Sequence, residues 1–159
     1  MEDALRRAET DFLSLRRIAV AGVSRDGRQA SNVIYRRLRQ EGYDVSPVNP
    51  VADQVEGDRC YASLSDIPGG VDGVVVVTHP DAAAEVVREC VELGIRRVWF
   101  HRSFGIGSVS DEAAQVCARE GITAIQGGCP MMFLEPVDLP HRCIRWVLDV
   151  TGKLPAMPA

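Results

Sequence analysis

The chain has 159 residues, of which 46% are hydrophobic and 25% charged, a balance typical of an ordinary globular core. Its net charge is −4, and arginines alternate with acidic residues along the chain. This argues against a broad surface for nucleic acid or anionic membrane, because such surfaces depend on clustered positive charge. No apolar stretch reaches the roughly 20 residues that span a bilayer, and residues 1–17 lack the apolar segment of a signal peptide. Five cysteines, an odd number, do not suggest a disulfide framework, so we expect a reducing, cytoplasmic location.

Residues 1–17 carry apolar side chains at helical spacing and predict an amphipathic helix. Five short runs rich in β-branched and aromatic residues follow it, and such runs are typical of a parallel sheet that is covered on both faces. The predicted strands are residues 18–23, 43–48, 73–77, 97–100 and 122–125.

Helical patterns separate these strands. Ser31, Asp81 and Ser110 are the predicted N-caps of three helices, and residues 140–150 predict a fourth at the C-terminal end. This alternation predicts one α/β domain over residues 1–159. We expect a Rossmann-like, doubly wound parallel five-stranded sheet in three layers, with the strand order 3-2-1-4-5.

In such sheets ligands bind outside the carboxyl ends of the strands. The first loop there, residues 21–28, reads G-x-S-x-x-G, a relative of the dinucleotide fingerprint with Ser24 in place of the second glycine. Small residues such as Gly22 let the backbone approach a pyrophosphate, and Arg25 or Arg28 could supply a local positive charge. A tight turn without a ligand explains this short pattern too.

Three further loops should meet the first. In the second, Asn49 stands where an NAD site has the acidic residue that grips the ribose, although Asn-Pro also fits a plain turn. In the third, Thr78 and Pro80 could flank an adenine or a ribose. A fourth set follows the last two strands: His101-Arg102-Ser103 and residues 127–130.

Together these loops resemble the CoA-binding domain family of small Rossmann-like proteins, a fold shared with the CoA-binding part of the succinyl-CoA synthetase alpha subunit. The resemblance covers about residues 15–130. It is carried by I-A-V-A-G-V-S at 18–24, Ser31, G-Y-D-V-S-P-V-N-P at 42–50, C-Y-A-S-L-S-D-I-P at 60–68, and Val71-Asp72.

The resemblance implies that coenzyme A is the cofactor and that CoA or acyl-CoA is the small-molecule partner. Carried over to this chain, the pyrophosphate site comprises Gly22, Val23, Ser24 and Ser31, and the adenosine site comprises Asn49, Pro50, Thr78 and Pro80. His79 and His101 are added to the cofactor-binding residues, because each follows a strand at the same edge.

Two departures from the family pattern stand out. Val51 replaces the lysine that usually follows Asn-Pro, so Arg25, Arg28 or Arg59 would have to contact the CoA phosphates. Residues 99–107 replace a shorter Trp-x-Gln turn with a longer, more polar segment.

Histidines and cysteines recur at the same edge. His79, His101 and Cys129 follow three different strands, and His141 and Cys143 could fold back near them. Such groups can ligate zinc or form a nucleophile, but no pair has the short spacing of a structural zinc site. We therefore predict polar pocket lining, with no catalytic or metal-binding residue. A milder hypothesis is a mixed disulfide between Cys129 and the CoA thiol.

The leading functional hypothesis is a non-catalytic CoA-binding module. Relatives that make acyl-CoA through a phosphohistidine need a further domain and a nucleotide-grasp partner, so we expect no such ligation from this chain alone. The alternatives are a small NAD(P)-linked oxidoreductase and a redox-responsive regulator that acts through a protein partner. The sequence leaves open a homodimer or a protein partner.

Overall fold

A computed structural model describes residues 2–102, 107–155 and 157, in which strands and helices alternate. The strands are β1 (Arg17–Ala21), β2 (Asp44–Val48), β3 (Gln54–Val55), β4 (Asp58–Arg59), β5 (Gly73–Val76), β6 (Arg97–Phe100) and β7 (Thr123–Gln126). The helices are α1 (Glu2–Leu13), α2 (Ala30–Gln40), α3 (Pro80–Leu93), α4 (Asp111–Arg119) and α5 (Leu139–Val150), with 3₁₀ turns at Leu64–Asp66 and Pro130–Met132. Among the described residues, no helix is long and apolar enough to cross a membrane.

The parallel sheet is covered on both faces, which confirms the predicted three-layer α/β class. Helices α1, α2 and α5 pack on one face, and α3 and α4 pack on the other. Trp99 of β6 is fully buried under the first group, where Phe12 meets its ring edge-on at 5.5 Å between ring centres. The indole Nε1 donates to Gly127 O over 3.0 Å, so this large side chain has its polar atom satisfied.

The predicted strand order is wrong. The five long strands lie in the order β2-β1-β5-β6-β7, so the third long strand pairs with β1 and does not lie outside β2. After β2 the chain forms the β3–β4 hairpin and a 3₁₀ turn, then crosses back past β1. The Arg17 side chain binds the carbonyls of Pro68 and Gly69, and Arg17 and Asp72 exchange two hydrogen bonds through backbone and carboxylate groups. These bonds fix β5 beside β1, so the strand order reverses between them.

Three helix starts and ends differ from the sequence prediction. Helix α1 ends at Leu13, because Arg17 already pairs with Asp44 at the start of the sheet. Helix α2 has Gln29 as its N-cap in place of Ser31, and α3 has His79 in place of Asp81. The Ser110 cap of α4 is confirmed, since its side chain accepts the Ala113 N–H.

Candidate functional site

The loop after β1 contacts the loops that follow both neighbouring strands. Gly22 donates its N–H to Val48 O at the end of β2 over 2.8 Å. Gly22 has a φ of +98°. A Cβ at this position would point towards the loop after β5, 2.9 Å from the carbonyl carbon of Val77 and 3.1 Å from Cγ2 of Thr78. Only glycine permits this approach. Three of the four predicted loops therefore meet where the strand order reverses, as the sequence analysis expected.

A buried side chain of α2 fixes the path of the first loop. Asn32 accepts the Ser24 N–H through Oδ1 at 3.3 Å, and its Nδ2 donates to Ser24 O at 2.8 Å and to Glu56 Oε1 at 2.7 Å. The Ser24 hydroxyl accepts the Asp26 N–H over 3.0 Å. That bond leaves the hydroxyl hydrogen of Ser24 as a donor for a ligand.

The start of α2 has no side-chain cap. Gln29 makes no cap hydrogen bond, and Ser31 is buried with its hydroxyl 3.4 Å from Asn32 Oδ1. The other helices whose N-caps are described, α3, α4 and α5, each receive a side-chain acceptor from His79, Ser110 and Asp138. Free N–H groups and the helix dipole favour an anion at an uncapped start. Ser31 therefore supports this site from the interior and does not act as its cap.

The two arginines of the first loop differ in their pairing. Arg28 is exposed, and its Nε lies 3.0 Å from Asp26 Oδ1, an interaction that lowers the pKa of Asp26. Arg25 is exposed and has no ion pair with any residue that the structure describes. Arg59 lies over the Tyr61 ring, 5.3 Å from its centre. Arg25 is therefore the arginine of this loop best placed to meet an anionic ligand.

The second loop is tied to the first through Asn49. Its Nδ2 donates to Val23 O over 2.9 Å, and its Oδ1 accepts the Val51 N–H over 3.0 Å. Both ends of the amide thus hold the protein backbone. Pro50 and Val51 project as an exposed apolar wall beside this clamp. Asn49 stands at the position where an NAD site has an acidic residue, and in this structure its side chain joins two loops.

The third loop is joined to the segment that follows β6. Ser108 is buried and donates its hydroxyl to Thr78 O over 2.6 Å, while Thr78 Oγ1 bonds to His79 O. His79 caps α3 by accepting the Asp81 N–H at 3.4 Å. His79 Nδ1 also lies 3.3 Å from Asp81 Oδ2, and Pro80 lies in the first turn of the same helix.

His101 lies at the end of β6 in a largely buried position. Its backbone N–H donates to Val76 O over 2.9 Å. Burial, together with nearby His141, lowers the pKa of His101 to about 4, so its ring is neutral at neutral pH. His141, at the start of α5, has Nδ1 2.6 Å from Asp138 Oδ1. His141 thus lies near enough to His101 to influence its charge, whereas Cys143 is exposed on α5. Ser103 lies outside the described residues.

The cysteine at this edge is buried. Cys129 is 3% exposed, and burial raises the pKa of its thiol to about 12. Because the thiolate is the reactive form, this argues against the mixed disulfide with the CoA thiol. Met131 and Met132 are buried core residues. Within residues 2–102, 107–155 and 157, no group of three potential ligands could hold a metal ion.

Comparison with known proteins identifies the family. Residues 16–135 match a family described as CoA binding domain, which covers the whole edge built from the four loops. The chain belongs to the CoA binding domain family. This confirms the resemblance that the sequence suggested.

Two relatives of this CoA binding domain differ greatly in length. It is 31% identical over 114 residues to "Uncharacterized protein YneT" of Bacillus subtilis, covering 72% of this chain and 82% of that protein. It is also 31% identical over 102 residues to the alpha subunit of an ADP-forming acetate–CoA ligase II of Pyrococcus furiosus, covering 64% of this chain but only 22% of that subunit.

Solved structures share the fold at similar identity. A hypothetical protein from Pyrococcus horikoshii superposes with a TM-score of 0.74 at 28% identity, covering 86% of this chain and 92% of that one. A dinucleotide-forming acetyl-coenzyme A synthetase 1 from Ca. Korarchaeum cryptofilum superposes with a TM-score of 0.59 at 28% identity, over 69% of this chain and 25% of that one.

Sequence reasoning missed three residues that build the site of this CoA binding domain. Asn32, Glu56 and Ser108 hold the loops from inside, and none was a candidate. The sequence did hold a signal that Asn32 has a structural role: asparagine is a weak helix former, and here it stands in a predicted helix beside the apolar Val33 and Ile34. Glu56 and Ser108 act across long sequence separations that no local pattern reveals.

Proposed function

We propose that this chain is a non-catalytic module that binds coenzyme A at the carboxyl edge of its sheet. The carrying observation is the uncapped start of α2 behind the Gly22 turn, next to a loop whose path Asn32 fixes. Backbone N–H groups in this setting suit a pyrophosphate, an anionic part of the cofactor. The family match over residues 16–135 supports coenzyme A as the source of that pyrophosphate.

The rest of the cofactor follows from the positions of the loops. Ser24 can add a hydroxyl donor to the pyrophosphate site, and Arg25 can add a charge-assisted bond. The adenosine would lie between the Pro50 wall and the turn at Thr78 and Pro80. Val51 gives this wall an apolar side chain where a lysine is usual, so we expect Arg25 to supply the missing positive charge to a phosphate.

The non-catalytic part of the proposal rests on what the candidate reactive groups do. His79 caps a helix, Cys129 is a buried thiol with a raised pKa, and His101 is a partly buried ring with a lowered pKa. The ligase subunit that this chain resembles is more than four times longer than the matched portion. We propose that acyl-CoA formation belongs to those other parts. All five cysteines are free thiols, which fits the reducing cytoplasm we propose as the location.

Calorimetric titration with CoA, dephospho-CoA and NAD tests the proposal. Arg25→Gln should weaken CoA binding by about tenfold, the value of one charge-assisted hydrogen bond at a partly solvated phosphate. Arg7→Gln, an exposed arginine on α1, is the matched control and should leave the affinity unchanged.

Dephospho-CoA then identifies the phosphate that Arg25 contacts. If the variant loses affinity for CoA but not for dephospho-CoA, Arg25 contacts the 3′-phosphate; equal losses place it at the pyrophosphate. Wild-type protein that binds NAD but not CoA, or binds neither, would refute the proposed function.

A further inference from the structure

Helix α5 has two opposite apolar faces. Leu148 is buried and Ile144 is half-buried against the core that contains Trp99. On the outer side, Leu139, Trp146 and Val150 are 71%, 66% and 68% exposed. At about 100° per residue, these three and the exposed Cys143 fall within an arc of about 60° that points away from Leu148. No described part of the chain covers this outer stripe, which runs the full length of the helix.

Two charges flank the stripe on one side. Arg142 and Asp149 are exposed, lie seven residues apart, and project from the same side of the helix. Neither side chain has an ion pair within residues 2–102, 107–155 and 157. By contrast, Arg145 is engaged, since its guanidinium lies 4.8 Å from the centre of the Phe133 ring. The stripe is thus flanked by an exposed positive charge and an exposed negative charge, spaced by two helical turns.

This pattern is complementary to itself. When two identical helices pack antiparallel across a two-fold axis, the same flank of each faces the other, and their residues run in opposite directions. Arg142 of one helix then faces Asp149 of its copy, and the reverse pair forms by symmetry. The midpoint between these residues falls next to Trp146, so the two indoles meet near the axis. A parallel pair would not bring these charges together, because each residue would then lie level with its own copy.

We propose that the outer face of α5 is the contact between two copies of this chain, packed antiparallel across a two-fold axis. Large aromatic side chains near the centre of an interface and charged residues at its rim are the usual arrangement. A groove of about 590 Å³ along the Arg142–Asp149 flank, lined by Met132, Pro136 and Val137 among others, extends the contact beyond the helix. One helix face and a groove make an interface at the small end of the specific range, so the dimer should be weak.

Sedimentation equilibrium of the full chain over a concentration series tests the contact. Wild-type protein should dimerise reversibly, with a dissociation constant of about 1–100 µM for an interface of this size. Trp146→Asp should remain monomeric over the same range, because it places two carboxylates near the axis. Far-UV circular dichroism and the melting temperature check that the variant folds. A wild type that stays monomeric overturns the proposal.

Charge reversal tests the antiparallel geometry specifically. Arg142→Asp and Asp149→Arg should each weaken the dimer by about tenfold, because each creates two like-charge pairs across the axis. The double variant should regain most of the wild-type association, because the opposite charges face one another again. Failure of this rescue, or a dimer insensitive to Trp146→Asp, would show that the copies meet through another surface and overturn the proposal.

Discussion

Replacing Gly22 by alanine tests whether the close contact between the first and third loops builds the site. The residue has a φ of +98°, and a Cβ would lie 2.9 Å from the carbonyl carbon of Val77 and closer still to its oxygen. The left-handed backbone alone costs an alanine about 1–2 kcal/mol. Relief of the overlap, which needs nearly 1 Å of movement in packed backbone, adds about 1–3 kcal/mol. We expect Gly22→Ala to lower the free energy of unfolding by about 2–5 kcal/mol.

Gly42→Ala is the matched control. Gly42 has a φ of +87°, but nothing lies within 4 Å of its Cβ position, and it precedes β2 at the opposite end of the strands. It should cost only the backbone strain, about 1–2 kcal/mol, and leave CoA affinity unchanged. Urea unfolding measures both free energies, and calorimetry measures both affinities. If the two variants lose stability equally within about 0.5 kcal/mol, or if Gly22→Ala binds CoA like the wild type, the contact between the loops is not what builds the site.

Three further predictions concern buried and exposed groups. Burial lowers the pKa of His101 from 6.5 to about 4, so its contribution to stability is complete above pH 6.5 and is lost as the pH falls. Burial raises the pKa of Glu9 from 4.5 to about 7, so the contribution of Glu9 is complete below pH 4.5 and is lost as the pH rises. Urea unfolding between pH 4.5 and 6.5 tests both shifts. As the pH rises, His101→Gln should lose stability relative to wild type and Glu9→Gln should gain it, each by up to about 1.4 kcal/mol per pH unit. Stability curves parallel to that of the wild type would contradict these assignments. Native protein should react with one equivalent of a maleimide, seen by intact mass, and Cys143→Ser with none; modification of further thiols without unfolding would contradict the burial of the other four. Asn32→Ala should cost about 2–4 kcal/mol in urea unfolding, because it leaves the Ser24 backbone groups without their partners, and an unchanged free energy would show that water replaces the amide.

The sequence predicted the secondary structure well, for a physical reason. Strands buried on both faces are short unbroken apolar runs, and residues 74–77 and 98–100 have that pattern. Strand order was not predictable in this way. It involves contacts such as those of Arg17, whose side chain and backbone bind the segment before β5 across more than 50 positions of sequence. Hydrophobic periodicity over a short stretch of sequence does not predict a hydrogen bond of this range.

The sequence predicted which loops meet at the carboxyl edge of the sheet but not what their side chains do there. Gly22 and Ser24 lie where the fingerprint-like pattern places them, because that pattern reflects local backbone geometry. Ser31 was predicted as the N-cap of α2, yet it is buried inside the first turn of that helix. A serine one residue inside a helix start looks the same in sequence as a serine at the start, and helix bounds shift by such small steps.

The polar side chains of the site mostly bind the protein itself, and this has a consequence for how affinity is generated. Asn32 and Asn49 each use both ends of their amide on loop backbone or a neighbouring side chain, and Ser108 uses its hydroxyl on Thr78 O. What remains for a ligand is backbone N–H groups held in a set geometry, the hydroxyl hydrogen of Ser24, and Arg25, which has no ion pair with any residue that the structure describes. Binding should therefore depend more on how well the loops are held than on any single contact. Substitutions at Asn32 and Asn49 should accordingly weaken CoA binding without touching the cofactor, through the same displacement that Gly22→Ala imposes.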